Sequence, residues 1–265
     1  MEREYQFNYV FKGDRSRPVI LFLHGFMGDC RDFEEVIARL PEFCCLAIDL
    51  PGHGRTEVRQ DSDYQMENIA VGLIELLTEL EIEQCFLVGY SMGGRIALYL
   101  TVNFPQFWLG TILESASPGL ATQLERDRRI IDDLQLSQQL VTVDFAVFLT
   151  NWYANPLFKS FRVHPNYQQA IARRLQNNPL QLAKSLQHLG LGKQPSLWSD
   201  LAEIKTPLLL VVGSLDQKFL AINQTMFCIA SQACLNIVED TGHNIHFEQT
   251  IKFCQLLQDF LRECL

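Results

Sequence analysis

Apolar and polar residues are patterned in two distinct ways along this chain of 265 residues. Short uninterrupted apolar runs, bounded by turn-forming residues, indicate strands that are buried on both faces. Apolar residues spaced three or four apart, as at Ile69, Leu73, Leu76 and Leu80, indicate one face of a helix. The apolar runs predict strands at residues 18–23, 44–48, 85–88, 112–114, 206–213 and 234–238.

The order of these elements predicts a fold class. Near the N-terminus, Tyr5, Phe7, Tyr9 and Phe11 alternate with mostly polar residues, which is typical of a half-buried edge strand. After it, strands alternate with helices, as they do in a mostly parallel, doubly wound α/β sheet.

Between residues 115 and 205 the pattern changes, because apolar residues keep helical spacing while strand-like runs are missing. We therefore predict a helical cap at 115–205, inserted into an α/β core that comprises residues 1–114 and 206–265. A composition with 48% hydrophobic and 20% charged residues agrees with one large globular unit that includes such an insertion.

The sequence also predicts the cellular compartment of the protein. Residues 1–5 are polar and acidic where a secretory leader needs a basic start, and no apolar run approaches membrane-spanning length. None of the eight cysteines shows C-x-x-C spacing, and those at positions 44, 45, 85 and 234 fall in predicted core strands. Reduced, mostly buried thiols in a soluble cytoplasmic protein with no membrane partner are the expectation.

The segment Gly89-Tyr90-Ser91-Met92-Gly93 carries the first chemical signal. It has the form G-x-S-x-G and lies between a predicted strand and a predicted helix. In that setting the serine sits on a sharp turn that exposes its hydroxyl above a sheet edge, and the glycines leave room for the turn. Ser91 is therefore the candidate nucleophile.

Two later segments supply the partners that activate a serine. Asp216 follows the predicted strand at 206–213, and His243 follows the one at 234–238. The order serine, aspartate, histidine is that of α/β-hydrolases and differs from the order in other serine-protease folds. The chain thus resembles the α/β-hydrolase superfamily, and His246, inside the predicted final helix, is the weaker candidate for the base.

A second loop completes the predicted machinery. His24-Gly25-Phe26-Met27-Gly28 follows the strand at 18–23, where this fold places one donor of the oxyanion hole. The backbone amides of Phe26 and Met92 are the expected donors. We expect His24 to brace its loop by hydrogen bonding and His53 to be structural.

Charge narrows the substrate class. The chain has a net charge of −9, yet residues 115–205 hold ten Lys or Arg against seven Asp or Glu. A basic cap on an acidic core favours a small anionic substrate and argues against nucleic acid. Most of these charges would be solvated on helix faces, but Arg95 lies one helical turn beyond Ser91. Truncating Arg95 is not expected to affect folding.

Several segments together resemble one family within the superfamily, the 2-succinyl-6-hydroxy-2,4-cyclohexadiene-1-carboxylate synthases of menaquinone and phylloquinone biosynthesis. The family-specific features are the arginine after Ser-Met-Gly-Gly, the Asp-Gln-Lys-Phe segment at 216–219 and the Asn-Trp-Tyr segment at 151–153. Broader similarities are the segments at 23–28, 49–54, 117–120, 194–198 and 242–244.

The resemblance implies an elimination of pyruvate rather than a hydrolysis, with no metal or organic cofactor. It implies that Ser91, activated by His243 and Asp216, removes a ring proton from a substrate with several carboxylates. Arg95, Arg129 and Lys218 become candidates for carboxylate contacts, and Tyr90 and Trp152 for pocket walls. Arg126 and Arg128 are alternatives to Arg129, and Trp152 could equally be cap core.

Two other functions stay open at this stage. A serine esterase or carbon–carbon bond hydrolase acting on a small anionic substrate would use the same three residues, because a fold does not fix a reaction. A non-enzymatic small-molecule receptor could keep the triad as well. Oligomeric state is also left open by the sequence.

Overall fold

A seven-stranded, mostly parallel sheet forms the centre of the computed structural model, which describes residues 5–265. Most of the segment used for the leader prediction, residues 1–4, lies outside the described residues. The strands follow the order β2-β4-β3-β6-β7-β8-β9, with β2 antiparallel to β4 and all other pairs parallel. Their bounds are β1 Tyr5–Gln6, β2 Tyr9–Lys12, β3 Val19–Leu23, β4 Cys44–Ile48, β5 Glu57–Val58, β6 Cys85–Tyr90, β7 Trp108–Glu114, β8 Leu208–Gly213 and β9 Ala233–Val238.

The apolar runs became the inner strands because both faces of a parallel sheet are covered. Every residue of β4, β6 and β8 is buried, and β3 is buried from Ile20 onward. The carboxyl ends of parallel strands meet at one edge of the sheet, so the loops after β3, β6, β8 and β9 lie near one another. This edge is where open α/β sheets bind ligands.

Helices cover the sheet and fill the segment between β7 and β8. Their bounds are α1 Glu34–Ile37, α2 Met66–Glu79, α3 Met92–Asn103, α4 Gln123–Thr142, α5 Phe145–Tyr153, α6 Lys159–Val163, α7 Tyr167–Arg174, α8 Pro179–Leu189, α9 Gln217–Ile229, α10 Ile245–Glu248 and α11 Thr250–Glu263. Within the described residues, no helix is long and apolar enough to cross a membrane.

The segment at 115–205, which we call the cap segment, contains helices α4 to α8. It has an apolar cluster of its own that includes Leu140, Phe148 and Phe161. Met27, from the loop after β3, belongs to the same cluster, so the cap segment packs directly on the sheet edge. The domain boundaries themselves stay a prediction.

Of two expectations about the edges of the sheet, one was wrong in part and the other was wrong. The predicted N-terminal edge strand is two short strands: β2 is an edge strand of the main sheet and pairs with β4, but β1 pairs with β5 in a separate two-stranded sheet. Cys234 lies in β9 but is exposed, because β9 is the outermost strand. All eight cysteines are free, and the buried ones are Cys30, Cys44, Cys45, Cys85 and Cys254.

Candidate active site

The predicted nucleophile is the single residue between β6 and α3. Ser91 has a backbone φ of 49°, a left-handed conformation that is strained for a residue with a side chain. A side chain at Gly89 would collide with the backbone carbonyl of Gly93, and one at Gly93 with the carbonyl of Leu23. Both glycines of the motif are therefore required by the close approach of helix and strand.

Asp216 and His243 reach Ser91 from the carboxyl ends of β8 and β9. The Nδ1 atom of His243 lies 2.6 Å from Oδ2 of Asp216, and its Nε2 atom lies 2.9 Å from Oγ of Ser91. Asp216 and His243 are 4% and 2% exposed. Because the carboxylate accepts the Nδ1 proton, Nε2 can accept the proton of the serine. The structure thus brings the three residues into one hydrogen-bonded chain.

The loop after β3 lies beside the nucleophile. Nε2 of His24 accepts the N–H of Leu50 at 2.9 Å, and Nδ1 donates to the carbonyl of Gly25 at 2.7 Å. Both ring nitrogens of His24 are therefore engaged in bracing the loop. The N–H groups of Phe26 and Met92 donate to no carbonyl in the described part of the chain, so both are available to a developing oxyanion.

Other buried histidines have structural partners. His246 lies in α10, not in the final helix as expected, and its Nδ1 atom is 2.7 Å from Oε2 of Glu114. The Nδ1 atom of His53 lies 3.1 Å from the carbonyl oxygen of Pro51, and burial lowers the pKa of His53 well below its usual range. Among the histidines in the described residues, His243 alone has a ring nitrogen bonded to Ser91.

A cavity adjoins Ser91 between the sheet edge and the cap segment. Every predicted site residue lines it except Asp216, which lies behind His243. The predicted residues that line it are Phe26, Tyr90, Ser91, Met92, Arg95, Arg129, Trp152, Lys218 and His243. Further lining residues include Ser117, Tyr153, Leu157, Phe158, Phe161, Arg174, Ser185, Leu186, Leu189, Phe219 and Asn244.

Arg95 is the cation closest to the nucleophile in sequence, and its partners are all neutral. Its guanidinium donates twice to the carbonyl of Leu189, at 3.1 and 3.2 Å, and once to Oε1 of Gln194 at 3.0 Å. No carboxylate in the described part of the chain pairs with it. Burial, together with the positive charge of Arg129, lowers the pKa of Arg95 to about 10. An anionic ligand would relieve this unfavourable environment.

The side chain that faces the cavity from α4 is Arg129. Arg126 donates to the carbonyl of Leu120 and to Gln123, Arg128 is exposed, and neither lines the cavity. Arg129 lies on the inner face of α4, where its Nε atom is 2.7 Å from Oδ1 of the buried Asp133. Of the three candidate arginines, only Arg129 therefore lines the cavity.

Three more predicted residues form walls of the cavity. Lys218 is exposed at its mouth, with its ammonium 5.7 Å from the ring centre of Phe219. Tyr90 is buried beside His243, and burial raises its pKa well above its usual range. Trp152 packs on Phe26 at 5.4 Å between ring centres. Trp152 therefore contributes to the cap core and to the cavity wall at once.

Sequence reasoning missed Arg174, which lies at the end of α7 and is 5% exposed. Its two terminal nitrogens lie 2.6 and 2.9 Å from the two carboxylate oxygens of Asp32, while its Nε atom is buried without a partner. The signal that could have found it is the spacing from Ala170, which places Arg174 on the buried face of the helix.

One group of side chains has the composition of a metal site. Asp29, Cys30 and Asp49 are buried, with potential ligand atoms within 4.8 Å of one another. The carboxylate of Asp29 already accepts from Arg31, and that of Asp49 accepts the N–H groups of Cys30 and Arg55. These hydrogen bonds account for the cluster as part of the loop structure.

Known proteins resemble this chain over nearly its whole length. Residues 18–250 match the family model of the α/β-hydrolase fold. A protein of Serratia proteamaculans named 2-succinyl-6-hydroxy-2,4-cyclohexadiene-1-carboxylate synthase is 32% identical, over 94% of this chain and 95% of its own. A Bacillus subtilis protein that carries the same name provisionally is 35% identical, over 94% and 92%.

A solved structure agrees with these relatives. MenH from S. aureus superposes with a TM-score of 0.93 at 32% identity, covering 97% of this chain and 98% of its own. An enol-lactonase from Burkholderia xenovorans superposes with a TM-score of 0.81 at only 19% identity, which shows the fold alone.

Proposed function

We propose that this chain, which belongs to the α/β-hydrolase family and within it to the 2-succinyl-6-hydroxy-2,4-cyclohexadiene-1-carboxylate synthases, is a carbon–oxygen lyase. It eliminates pyruvate from 2-succinyl-5-enolpyruvyl-6-hydroxy-3-cyclohexene-1-carboxylate to give 2-succinyl-6-hydroxy-2,4-cyclohexadiene-1-carboxylate. The reaction belongs to menaquinone and phylloquinone biosynthesis.

The change from a 3-ene to a 2,4-diene defines the movement of atoms. The proton on ring carbon 2, next to the succinyl ketone, is removed, and its electron pair forms the 2,3 double bond. The former 3,4 double bond moves to positions 4 and 5 as the bond from carbon 5 to the ether oxygen breaks. Enolpyruvate leaves and takes up a proton to become pyruvate. The electrons and protons balance without an organic cofactor or a metal.

The triad geometry supports a base role in this step. His243 would take the proton of Ser91 through its 2.9 Å hydrogen bond as Oγ of Ser91 removes the ring proton. Asp216 would stabilise the imidazolium that forms. The negative charge that develops on the succinyl ketone oxygen would then be held by the amides of Phe26 and Met92, in place of a tetrahedral intermediate.

The observation that carries the proposal is that Arg95 lines the cavity without a carboxylate partner among the described residues. A substrate with a ring carboxylate, a succinyl carboxylate and an enolpyruvyl carboxylate needs several cationic contacts. Arg129 and Arg174 line the cavity with carboxylate partners of their own, whereas Arg95 has none. A neutral ester would leave the charge of this guanidinium without an anionic partner, whereas a substrate carboxylate would pair with it one helical turn from the nucleophile.

The test is to supply the enolpyruvyl cyclohexene to the purified protein while following pyruvate release, with a panel of simple esters in parallel. We expect rapid pyruvate release and feeble ester hydrolysis. Esters turned over as well as the cyclohexene, or better, would refute the lyase assignment and favour a hydrolase on the same triad.

We also propose that the enzyme acts in the cytoplasm on a small anionic substrate. The eight cysteines support this compartment, since all of them are unpaired and five are buried.

A further inference from the structure

Glu114, the last residue of β7, contacts both the nucleophile and the segment that follows the catalytic histidine. Its backbone carbonyl accepts the N–H of Ser91 at 2.9 Å. Its carboxylate accepts the backbone N–H of His246 at 2.9 Å and lies 2.7 Å from Nδ1 of the same residue. The side chain is 0% exposed and does not line the substrate cavity. Glu114 therefore joins the nucleophile turn to the segment that carries His243.

That segment needs support because it is irregular. His243 lies between the end of β9 and the start of α10, outside any helix or strand. A second carboxylate, that of Glu248, accepts the N–H groups of Gly242 at 2.9 Å and Asn244 at 3.3 Å, on either side of His243. Glu248 closes the segment on itself, whereas Glu114 ties it to the sheet.

The ring of Tyr90 is a second link between His246 and His243. It packs edge-on against His246 at 4.9 Å between ring centres and against His243 at 5.5 Å. A shift of His246 would therefore move the ring beside the catalytic imidazole as well as the backbone three residues away. Burying a carboxylate is costly, and an apolar residue would fill the same space at lower cost if packing alone were needed.

We propose that Glu114 is a positioning residue that sets the hydrogen bond between Ser91 and His243 by tying the His243 segment to the strand end that also holds Ser91. The proposal rests on the proposed function only in taking this serine–histidine pair as catalytic. A displacement of about 1 Å in such a pair can lower the rate of the chemical step by on the order of 100-fold.

Three variants test the tie. In Glu114→Gln, an amide nitrogen replaces one of the two acceptor oxygens, so the charged bond to Nδ1 of His246 is either lost or replaced by a neutral bond in which Nδ1 accepts. His246→Leu removes the side-chain donor, while His246→Asn places an amide nitrogen where Nδ1 stands and keeps it. The matched control is Asp63→Asn, which makes the same change from carboxylate to amide at an equally buried position. The carboxylate of Asp63 accepts the N–H groups of Arg59 and Gln60 and does not line the cavity.

We expect Glu114→Gln and His246→Leu to lower kcat for pyruvate release about 10-fold to 100-fold, with KM within about threefold. His246→Asn should restore kcat to within about threefold of wild type, and Asp63→Asn should lower thermal stability without lowering kcat. A second readout is the NMR signal of the Cε1–H group of His243, assigned by its loss in His243→Gln. It should move in the two impaired variants and stay in place in the other two.

The NMR comparison requires no turnover, so it separates this proposal from the proposed function. A wild-type protein that releases no pyruvate would defeat the function and leave the positioning test intact. An unchanged kcat and an unmoved His243 signal in Glu114→Gln would overturn the positioning role, as would an equal loss of kcat in Asp63→Asn. Should Glu114→Gln fail to fold, the two His246 variants decide the question: an equal kcat in His246→Leu and His246→Asn would overturn the positioning role.

Discussion

Replacing Arg95 by alanine should lower kcat/KM for pyruvate release by about 30-fold to 5,000-fold. The guanidinium lines the cavity, and its three hydrogen bonds go to the neutral oxygens of Leu189 and Gln194. A desolvated pair between such a cation and a substrate carboxylate is worth about 2–5 kcal/mol when one partner is removed. That range converts to the stated fold-change in kcat/KM.

The structure adds a second effect that the sequence did not predict. The same three hydrogen bonds tie α3 to the end of α8 and the segment after it, which argues against the expectation that Arg95 does not affect folding. Their loss should lower the free energy of unfolding by about 1–3 kcal/mol. The kinetic assay must therefore run at a temperature where circular dichroism shows the variant to be folded.

Two comparisons isolate the charge effect. Arg95→Lys should recover only part of the lost kcat/KM, because an ammonium cannot reproduce the two-pronged geometry of a guanidinium. Arg126→Ala is the matched control, since Arg126 also donates to neutral oxygens but does not line the cavity. It should leave kcat/KM unchanged. A value for Arg95→Ala within about threefold of wild type, below roughly 1 kcal/mol, would refute the carboxylate contact.

Ser91→Ala and His243→Ala should each abolish most pyruvate release while the circular dichroism spectrum stays unchanged. Asp216→Asn should also lower the rate of pyruvate release, and near-normal turnover in Ser91→Ala would contradict the triad. Neutral aryl esters should show a kcat/KM far below that of the cyclohexene, because an ester offers no carboxylate to pair with Arg95. Burial lowers the pKa of His53 in the folded protein, so the unfolded chain binds the proton at a higher pH than the folded chain does. The free energy of unfolding should therefore fall as the pH drops below about 6.5, by up to about 1.4 kcal/mol per pH unit. Urea unfolding of His53→Asn should show a shallower loss over the same range, and equal slopes in the two proteins would contradict this origin.

The inner part of the fold could be predicted because burial on both faces imposes a continuous apolar run. Residues 44–48 were predicted as a strand and form β4 with the same bounds. The edges could not be predicted in this way, since alternation gives the period of a strand but not its partner. The separation of β1 from β2, and the exposure of Cys234 on the outermost strand, depend on pairings that no local pattern encodes.

The candidate triad could be predicted for a related reason. Ser91, Asp216 and His243 each follow a parallel strand, and the carboxyl ends of such strands meet at one sheet edge. Arg174 and Glu114 were missed because, unlike the triad residues, they belong to no motif that points to partners distant in sequence. Asp32 lies 142 positions before Arg174, and His246 lies 132 positions after Glu114, so only the folded chain brings these charges together.

The arrangement explains how hydrolase machinery can serve an elimination. A base, its orienting carboxylate and two oxyanion donors are as useful to an enolate as to a tetrahedral intermediate, so the triad does not select the reaction. Selection must come from how the substrate is held. Arg95 and Lys218 approach the cavity from the core and Arg129 from the cap segment. A substrate with several carboxylates can engage both sides at once, which would fix its ring over Ser91 with the acidic proton toward the base.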